Sequence, residues 1–403
     1  MAGAGQSLLY PNLVDPEFHG SADFHSVWRR LRAENPIHWH ASTEYPGFWV
    51  LTRYADARAV LLDHETFSSA QGILLRPQGQ GADPGGGRTL ALTDAPRHGA
   101  LRRVVDSWFN KRSVRGLEEM MRSVVGGIVD RALQQETCDF VADIAAPLPV
   151  YVICALMGVP QADHERVFQL AKEAFGADTA LARSAAHHQL LRYFLSLSGK
   201  RARAPQDDLV SALATATVDG RQMSPEDVVL NCDNLLVGGT ENVRLTAAGG
   251  MFTFLRHPDQ WAAVRRDPSF LASAVEEILR WTSTPTHLMR TAIRPTILRG
   301  FSIAAGDRVT LWVPSANRDE TVFPEPDRFD ISRRPNRHLS LGLGEHFCLG
   351  SVLARTELRI LFEELVSRVE RVEQAGPEVR LRSIVVGGLE RLPVRLTPAA
   401  VAR

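Results

Sequence analysis

From Ser224 to Phe254 apolar residues recur at helical spacing for about eight turns with no interior proline, the feature that most limits what this 403-residue chain can fold into. Ser224-Pro225-Glu226-Asp227 opens the run with a capping side chain, a proline at the first helical position and two acids in the first turn. One long central helix is therefore predicted, weakened locally by glycines at 238, 239, 249 and 250. Helical patterns dominate most of the remaining chain, and strands are the minority.

Strand-like segments fall in three distant places. Ile37-His38-Trp39-His40 and Phe48-Trp49-Val50-Leu51 flank a turn-prone stretch holding Pro46-Gly47, which predicts a hairpin. Residues 296–312 alternate around Ala305-Gly306-Asp307, and residues 378–397 form a second short-strand region around Gly387-Gly388. The expected fold is mainly α, a helical body with a small β-rich lobe drawn mainly from residues 37–53, 286–312 and 378–397. No linker and no repeat at a fixed period divides the chain, so residues 1–403 are expected to form a single domain with lobes. The Gly- and Pro-rich segment 71–92 is expected to be a long mobile loop over a site.

Composition narrows the partners. Lys+Arg and Asp+Glu each number 46, so no global basic field exists to gather nucleic acid or anionic lipid. The first twenty residues lack a secretory signal, and no apolar run of about 20 residues could span a bilayer, so a cytoplasmic protein without membrane attachment is expected. Cys138, Cys154, Cys232 and Cys348 show neither a C-x-x-C pair nor zinc spacing. Three are expected to be buried apolar residues, which leaves Cys348 to explain.

Cys348 stands at the end of His338-Leu339-Ser340-Leu341-Gly342-Leu343-Gly344-Glu345-His346-Phe347-Cys348-Leu349-Gly350, which runs straight into the amphipathic stretch SVLARTELRILFEELVSRV. At a helix start the macrodipole and free N–H groups favour a thiolate, and flanking glycines let the main chain approach a flat cofactor. An arbitrary cysteine before a helix is usually structural; the neighbours of this one point elsewhere. The loop resembles the cytochrome P450 signature F-x-x-G-x-x-x-C-x-G, and other markers of that family follow in order over nearly the whole chain.

Glu277-Ile278-Leu279-Arg280 matches E-x-x-R, with both charges on one helical face. Phe323-Pro324-Glu325-Pro326-Asp327-Arg328-Phe329 matches the meander, and the resemblance implies a structural triad of Glu277, Arg280 and Arg328. Asp94-Ala95-Pro96-Arg97-His98-Gly99-Ala100-Leu101-Arg102 is similar to D-x-P-x-H-x-x-x-R. It implies that His98 and Arg102, with Arg290 and His346, hold haem propionates. Gly238-Gly239-Thr240-Glu241-Asn242 resembles the oxygen-binding [AG]-G-x-[DE]-T, where small residues would let the helix bulge and Glu241 would relay protons. Two positions depart from the pattern: Asn242 replaces the usual threonine, and Leu341 the usual phenylalanine. An amide can orient water but is not a hydroxyl relay.

The resemblance implies a haem-thiolate monooxygenase with haem b between the long central helix and the cysteine loop. Cys348 would be the axial ligand, Phe347 and Gly350 its neighbours at the cofactor, and dioxygen the co-substrate. Electrons would come from a ferredoxin and a ferredoxin reductase, with Arg97, Arg103, Lys111 and Arg112 either a docking patch or scattered surface charge. The expected substrate is a small molecule from specialised metabolism. Asn231 and Asn234 share a face with Gly238, so the substrate would carry hydrogen-bonding groups, unless Asn231 is merely solvated. Asn231-Cys232-Asp233-Asn234 ahead of the oxygen motif looks similar to family members that hydroxylate aminoacyl groups tethered to carrier proteins. Leu74, Leu75, His287, Leu288 and Val386 are candidate pocket residues. Two alternatives stay open: oxidation without oxygen insertion (aryl coupling, ring closure, desaturation), and a haem-binding sensor without turnover.

Overall fold

A computed structural model describes residues 11–21, 24–176 and 179–399. Helices used below are α1 (Phe24–Glu34), α2 (Arg97–Val105), α3 (Glu118–Leu133), α4 (His164–Gly176), α5 (Ala180–Arg203), α6 (Pro225–Arg256), α7 (Leu271–Thr282) and α8 (Ser351–Arg368). Strands are β1 (Ile37–His40), β2 (Phe48–Leu51), β3 (Phe67–Ser68), β4 (His287–Ala292), β5 (Thr296–Leu298), β6 (Phe301–Ile303) and β7 (Arg308–Trp312). Contacts group the chain into two compact units. The first takes residues 1–86, 245–348 and 373–394, and the second residues 87–244, 349–372 and 395–403.

The first unit is built on a five-stranded sheet in the order β1-β2-β7-β4-β3. The predicted hairpin is its edge, with Ile37 opposite Leu51 and His40 opposite Phe48. β7 runs parallel to β2, while β4 pairs antiparallel with β7 and with β3. Successive strand side chains point to opposite faces, and here both faces are covered. Leu51, Val309 and Leu311 join one core with Ile37 and Val60. Phe48, Val50 and Trp312 join another with Leu13 and Trp28. Trp28 of α1 stacks on Trp312 at 4.9 Å between centroids, which fastens the helix to the sheet. β5 and β6 form a separate hairpin. Beyond residue 378, Val379–Arg380 pairs with Leu389–Arg391 as its own two-stranded ribbon, tied to the chain before β4 by the Gly387 N–H to Thr284 O bond of 2.8 Å.

The second unit is mostly helical. α8 lies on α3, where Arg359 reaches Glu118 at 3.1 Å and Arg122 reaches Glu363 at 2.7 Å. α4 and α5 pack side by side, with Tyr193 of α5 donating to Asp163 at 2.9 Å. The long helix begins as its sequence indicates: the Asp227 N–H donates to Ser224 Oγ at 3.1 Å, and Pro225 supplies no N–H to satisfy. It stays α-helical from Pro225 to Arg256, so the expected bulge at the glycines does not occur. Residues 225–244 of it belong to the second unit and residues 245–256 to the first. Among the described residues, no helix is long and apolar enough to cross a membrane.

The 71–92 segment, expected to be a long mobile loop, is irregular apart from a 3-10 turn at Leu90–Leu92 and makes specific contacts within each unit. In the first unit the Gln78 N–H donates to Glu44 O at 2.8 Å and Arg76 pairs with Asp83 at 3.1 Å. In the second, the Gly87 N–H donates to Leu92 O at 2.6 Å and Arg88 pairs with Asp227 at 2.6 Å. Within each unit the segment is thus anchored by a backbone hydrogen bond and an ion pair.

Candidate functional site

In the first unit the cysteine loop is held at its base by a buried asparagine. Asn317 Oδ1 accepts the Leu339 N–H at 2.7 Å, while its amide donates to Ser340 Oγ and Ser283 Oγ, each at 2.9 Å. Gly344 has φ +74, and a Cβ there would stand 2.7 Å from the Leu61 carbonyl oxygen, so only glycine fits. After the 3-10 turn Gly344–His346, the Cys348 N–H donates to Leu341 O at 2.9 Å, closing the loop on itself. Leu341 acts through its carbonyl at this point, which the Phe-to-Leu departure leaves intact.

Cys348 is half-buried, whereas Cys138, Cys154 and Cys232 are buried. Burial pushes the Cys138 and Cys154 thiols up to about 12 and raises Cys232 as well, so none of these three supplies a thiolate near neutral pH. A Cβ built on Gly350, two residues on, would meet no heavy atom within 4 Å. A half-buried cysteine three residues before a helix start suits a thiolate-ligated planar cofactor. Arg290 is buried on β4, with Nη1 donating to Met289 O at 2.8 Å. His346 and Phe347 lie in the turn immediately before the cysteine, and Phe347 is exposed.

Glu277 and Arg280 form the expected i, i+3 pair on α7, fully buried, with two nitrogen–oxygen contacts of 2.8 and 2.7 Å. Arg280 also donates to the carbonyls of Asn317, Pro326 and Arg328. The third charged member is Arg333, not Arg328. Arg333 Nε lies 3.2 Å from Glu277 and its side chain is 9% exposed, whereas the Arg328 side chain is 60% exposed and pairs with Glu325. Glu325 adopts φ +46, and beyond this left-handed turn the Arg328 carbonyl accepts from Arg280 while its guanidinium reaches back to Glu325. Asn336 and the Asp330 N–H complete the shell around Glu277.

The pocket candidates divide. His287 is fully buried: Nε2 accepts the Leu75 N–H at 2.9 Å and Nδ1 donates to Ile384 O at 2.8 Å. Burial pushes its pKa down to about 4, so the neutral ring ties three segments together and does not line a pocket. Leu75 belongs to one sheet core, and Leu288 packs against the other because adjacent strand residues face opposite ways. Leu74 and Val386 are half-buried, and Val386 bridges Pro285.

In the second unit α2 carries His98, buried, and Arg102 one turn later, which donates to Asp106 at 3.3 Å. Arg97 donates to Gly87 O at 3.2 Å and pairs with Asp219, which removes it from the proposed basic patch; Arg103, Lys111 and Arg112 are exposed. On α6 a Cβ at Gly239 would lie 3.2 Å from Ile153 Cδ1, so this glycine permits close helix packing. Gly238 faces open space. Glu241 is engaged by Arg244, whose Nε lies 3.1 Å from Oε2 and whose Nη2 reaches Oε1. Asn242 and Asn234 are half-buried.

Asn231 is neither solvated nor a pocket group. Its Oδ1 accepts the Leu90 N–H at 3.0 Å, and its amide donates to Arg88 O and Asp227 O. Sequence reasoning missed Arg333, Arg244 and Asn317. Arg333 is one of several arginines between 328 and 337, and spacing alone does not choose among them. Arg244 was visible as an i, i+3 partner of Glu241.

The family model for cytochrome P450 matches residues 165–380. Cytochrome P450 NovI of Streptomyces niveus is 35% identical over 391 residues, covering 96% of each chain. Among solved structures, P450 OxyD, involved in the biosynthesis of vancomycin-type antibiotics, superposes with TM-score 0.91 at 35% identity over 96% of this chain and 99% of its own. P450BioI in complex with an acyl carrier protein bearing hexadec-9Z-enoic acid gives TM-score 0.84 at 28% identity, covering 95% and 99%.

Proposed function

The chain belongs to the cytochrome P450 family, and on that premise we propose that this monooxygenase hydroxylates an aminoacyl or related specialised-metabolite group presented on a carrier protein. The family's cofactor is haem with a cysteine thiolate, which when bound supplies reductive activation of dioxygen. The observation that carries the reading is Cys348, the one cysteine of four that is not buried, set at a helix start.

Each residue has a defined task. Cys348 Sγ would ligate haem b, its negative charge favoured by the helix start that follows it in the chain and its backbone fixed by the Leu341 carbonyl. By the family resemblance, His98, Arg102, Arg290 and His346 would hold the propionates by charge-assisted hydrogen bonds. Gly238, where a Cβ would meet no heavy atom within 4 Å, would leave room for dioxygen, while Gly239 keeps its helix close to Ile153. Glu241 moves protons only when its pairing with Arg244 loosens, so Arg244 gates it. Asn242 orients a water by donating from Nδ2 and accepting at Oδ1. The Glu277–Arg280–Arg333 cluster positions the segment ahead of the cysteine loop and takes no part in chemistry.

Support for the substrate class comes from relatives: OxyD from antibiotic biosynthesis, and P450BioI with its carrier complex. Electrons come from a separate ferredoxin and its reductase. The test is turnover of a panel of aminoacyl thioesters on a phosphopantetheinylated peptidyl carrier protein, with a surrogate ferredoxin pair and isotopically heavy dioxygen. One heavy oxygen retained in the product is expected. Product without label would replace hydroxylation by a non-inserting oxidation, and no substrate-dependent use of reducing equivalents would overturn turnover altogether.

A further inference from the structure

Lys/Arg and Asp/Glu are equal in number over the whole chain, yet α5 carries five basic side chains, two histidines and no acid in 24 residues. Its inward face is settled: Ala186, Leu190, Phe194 and Leu197 are buried, and Arg201 turns in to Asp208 and the Gly158 carbonyl. The opposite stripe, at helical spacing, is Leu181, His188, Arg192, Leu195 and Arg203, all exposed. Leu181 is 81% and Leu195 51% exposed, and they stand about 21 Å apart along the helix. No described residue pairs ionically with Arg192 or Arg203. Cations in a last helical turn complement the macrodipole, which accounts for Lys200 and Arg203 but not for Arg192 at mid-helix or for two bare leucines. α4 beside it carries two acids and two bases, so its packing partner does not share the bias.

We infer that the outward stripe of α5 is the docking surface for the carrier protein, engaging an acidic helix through Arg192 and Arg203 with Leu181 and Leu195 as apolar contacts. The inference rests on the carrier-borne substrate reading above. A second copy of this chain fits poorly, because a two-fold contact sets the same helix against itself and brings like charges together. An anionic membrane is a weaker match, since two leucines without an exposed aromatic belt bury little apolar area. An acidic helix meets both requirements: opposite charge sets orientation and encounter rate, and an apolar residue fills the gap between arginines.

The experiment uses the haem-loaded full chain and a fluorescently labelled, phosphopantetheinylated peptidyl carrier protein without cargo, read by anisotropy. Arg192→Glu/Arg203→Glu is expected to weaken binding at least about tenfold, with a steep salt dependence in the parent and none in the variant. Arg221→Glu, exposed elsewhere in the same unit, should leave affinity unchanged. With aminoacyl-loaded carrier, the double variant should raise KM and keep kcat, and its carbon monoxide difference spectrum should match the parent. Equal KM in parent and double variant would overturn the docking surface while leaving the carrier-borne substrate standing. Oxidation of free acids alone, with no carrier bound by the parent, would remove both. Binding to phosphatidylglycerol vesicles, or self-association lost in the double variant, in place of carrier binding would also overturn it.

Discussion

Arg328 and Arg333 are five residues apart and meet opposite fates, one facing water and one closing a buried cluster around Glu277. Removing one partner of a buried ionic cluster leaves charge uncompensated, so Arg333→Ala should cost about 3 kcal/mol in a denaturant titration, against less than about 0.5 kcal/mol for Arg328→Ala. Equal effects would refute the assignment. His287 makes a second prediction. Its folded pKa of about 4 lies below the usual 6.5, so between those values the unfolded chain binds the extra proton. Stability from this group is complete above about pH 6.5 and declines as pH falls towards 4. Other histidines, His19 and His25 among them, shift the same way, so the readout is a difference. His287→Asn should flatten part of the parent's loss of stability over that window; parallel curves would show that His287 is not held neutral.

Among the elements, α6 shows what sequence pattern reveals and what it hides. Its start was legible because a cap, a proline and two acids each satisfy a separate local requirement, and its length because no interior proline interrupts the apolar spacing. The roles of its polar side chains were not legible. Asn231 shares a helical face with Gly238, but what it touches depends on where residues 88–90 return, a contact across some 140 positions. Likewise His287 reads as one residue of a strand until the chain near Ile384 is placed behind it. Asn231→Ala strips the Leu90 N–H of its acceptor and should destabilise by about 1–3 kcal/mol, with cleavage of the 86–92 segment in limited proteolysis as its sign. Unchanged protection there would mean that the clamp is idle.

For the whole molecule, the mainly α fold with small sheets was readable because the motifs at Asp94, Gly238, Glu277, the meander and Cys348 occur in order, and the family comparisons agree. Substrate and partners were less so, since they depend on surfaces such as the outer face of α5 that motifs do not record. All of the chemistry proposed here requires iron bound to the sulfur of residue 348. The direct measurement is the absorption spectrum of the fully haem-loaded, reduced protein under carbon monoxide. The account predicts the strongly red-shifted Soret band of thiolate ligation, lost in Cys348→Ser, whereas an unshifted band in intact parent protein would contradict it.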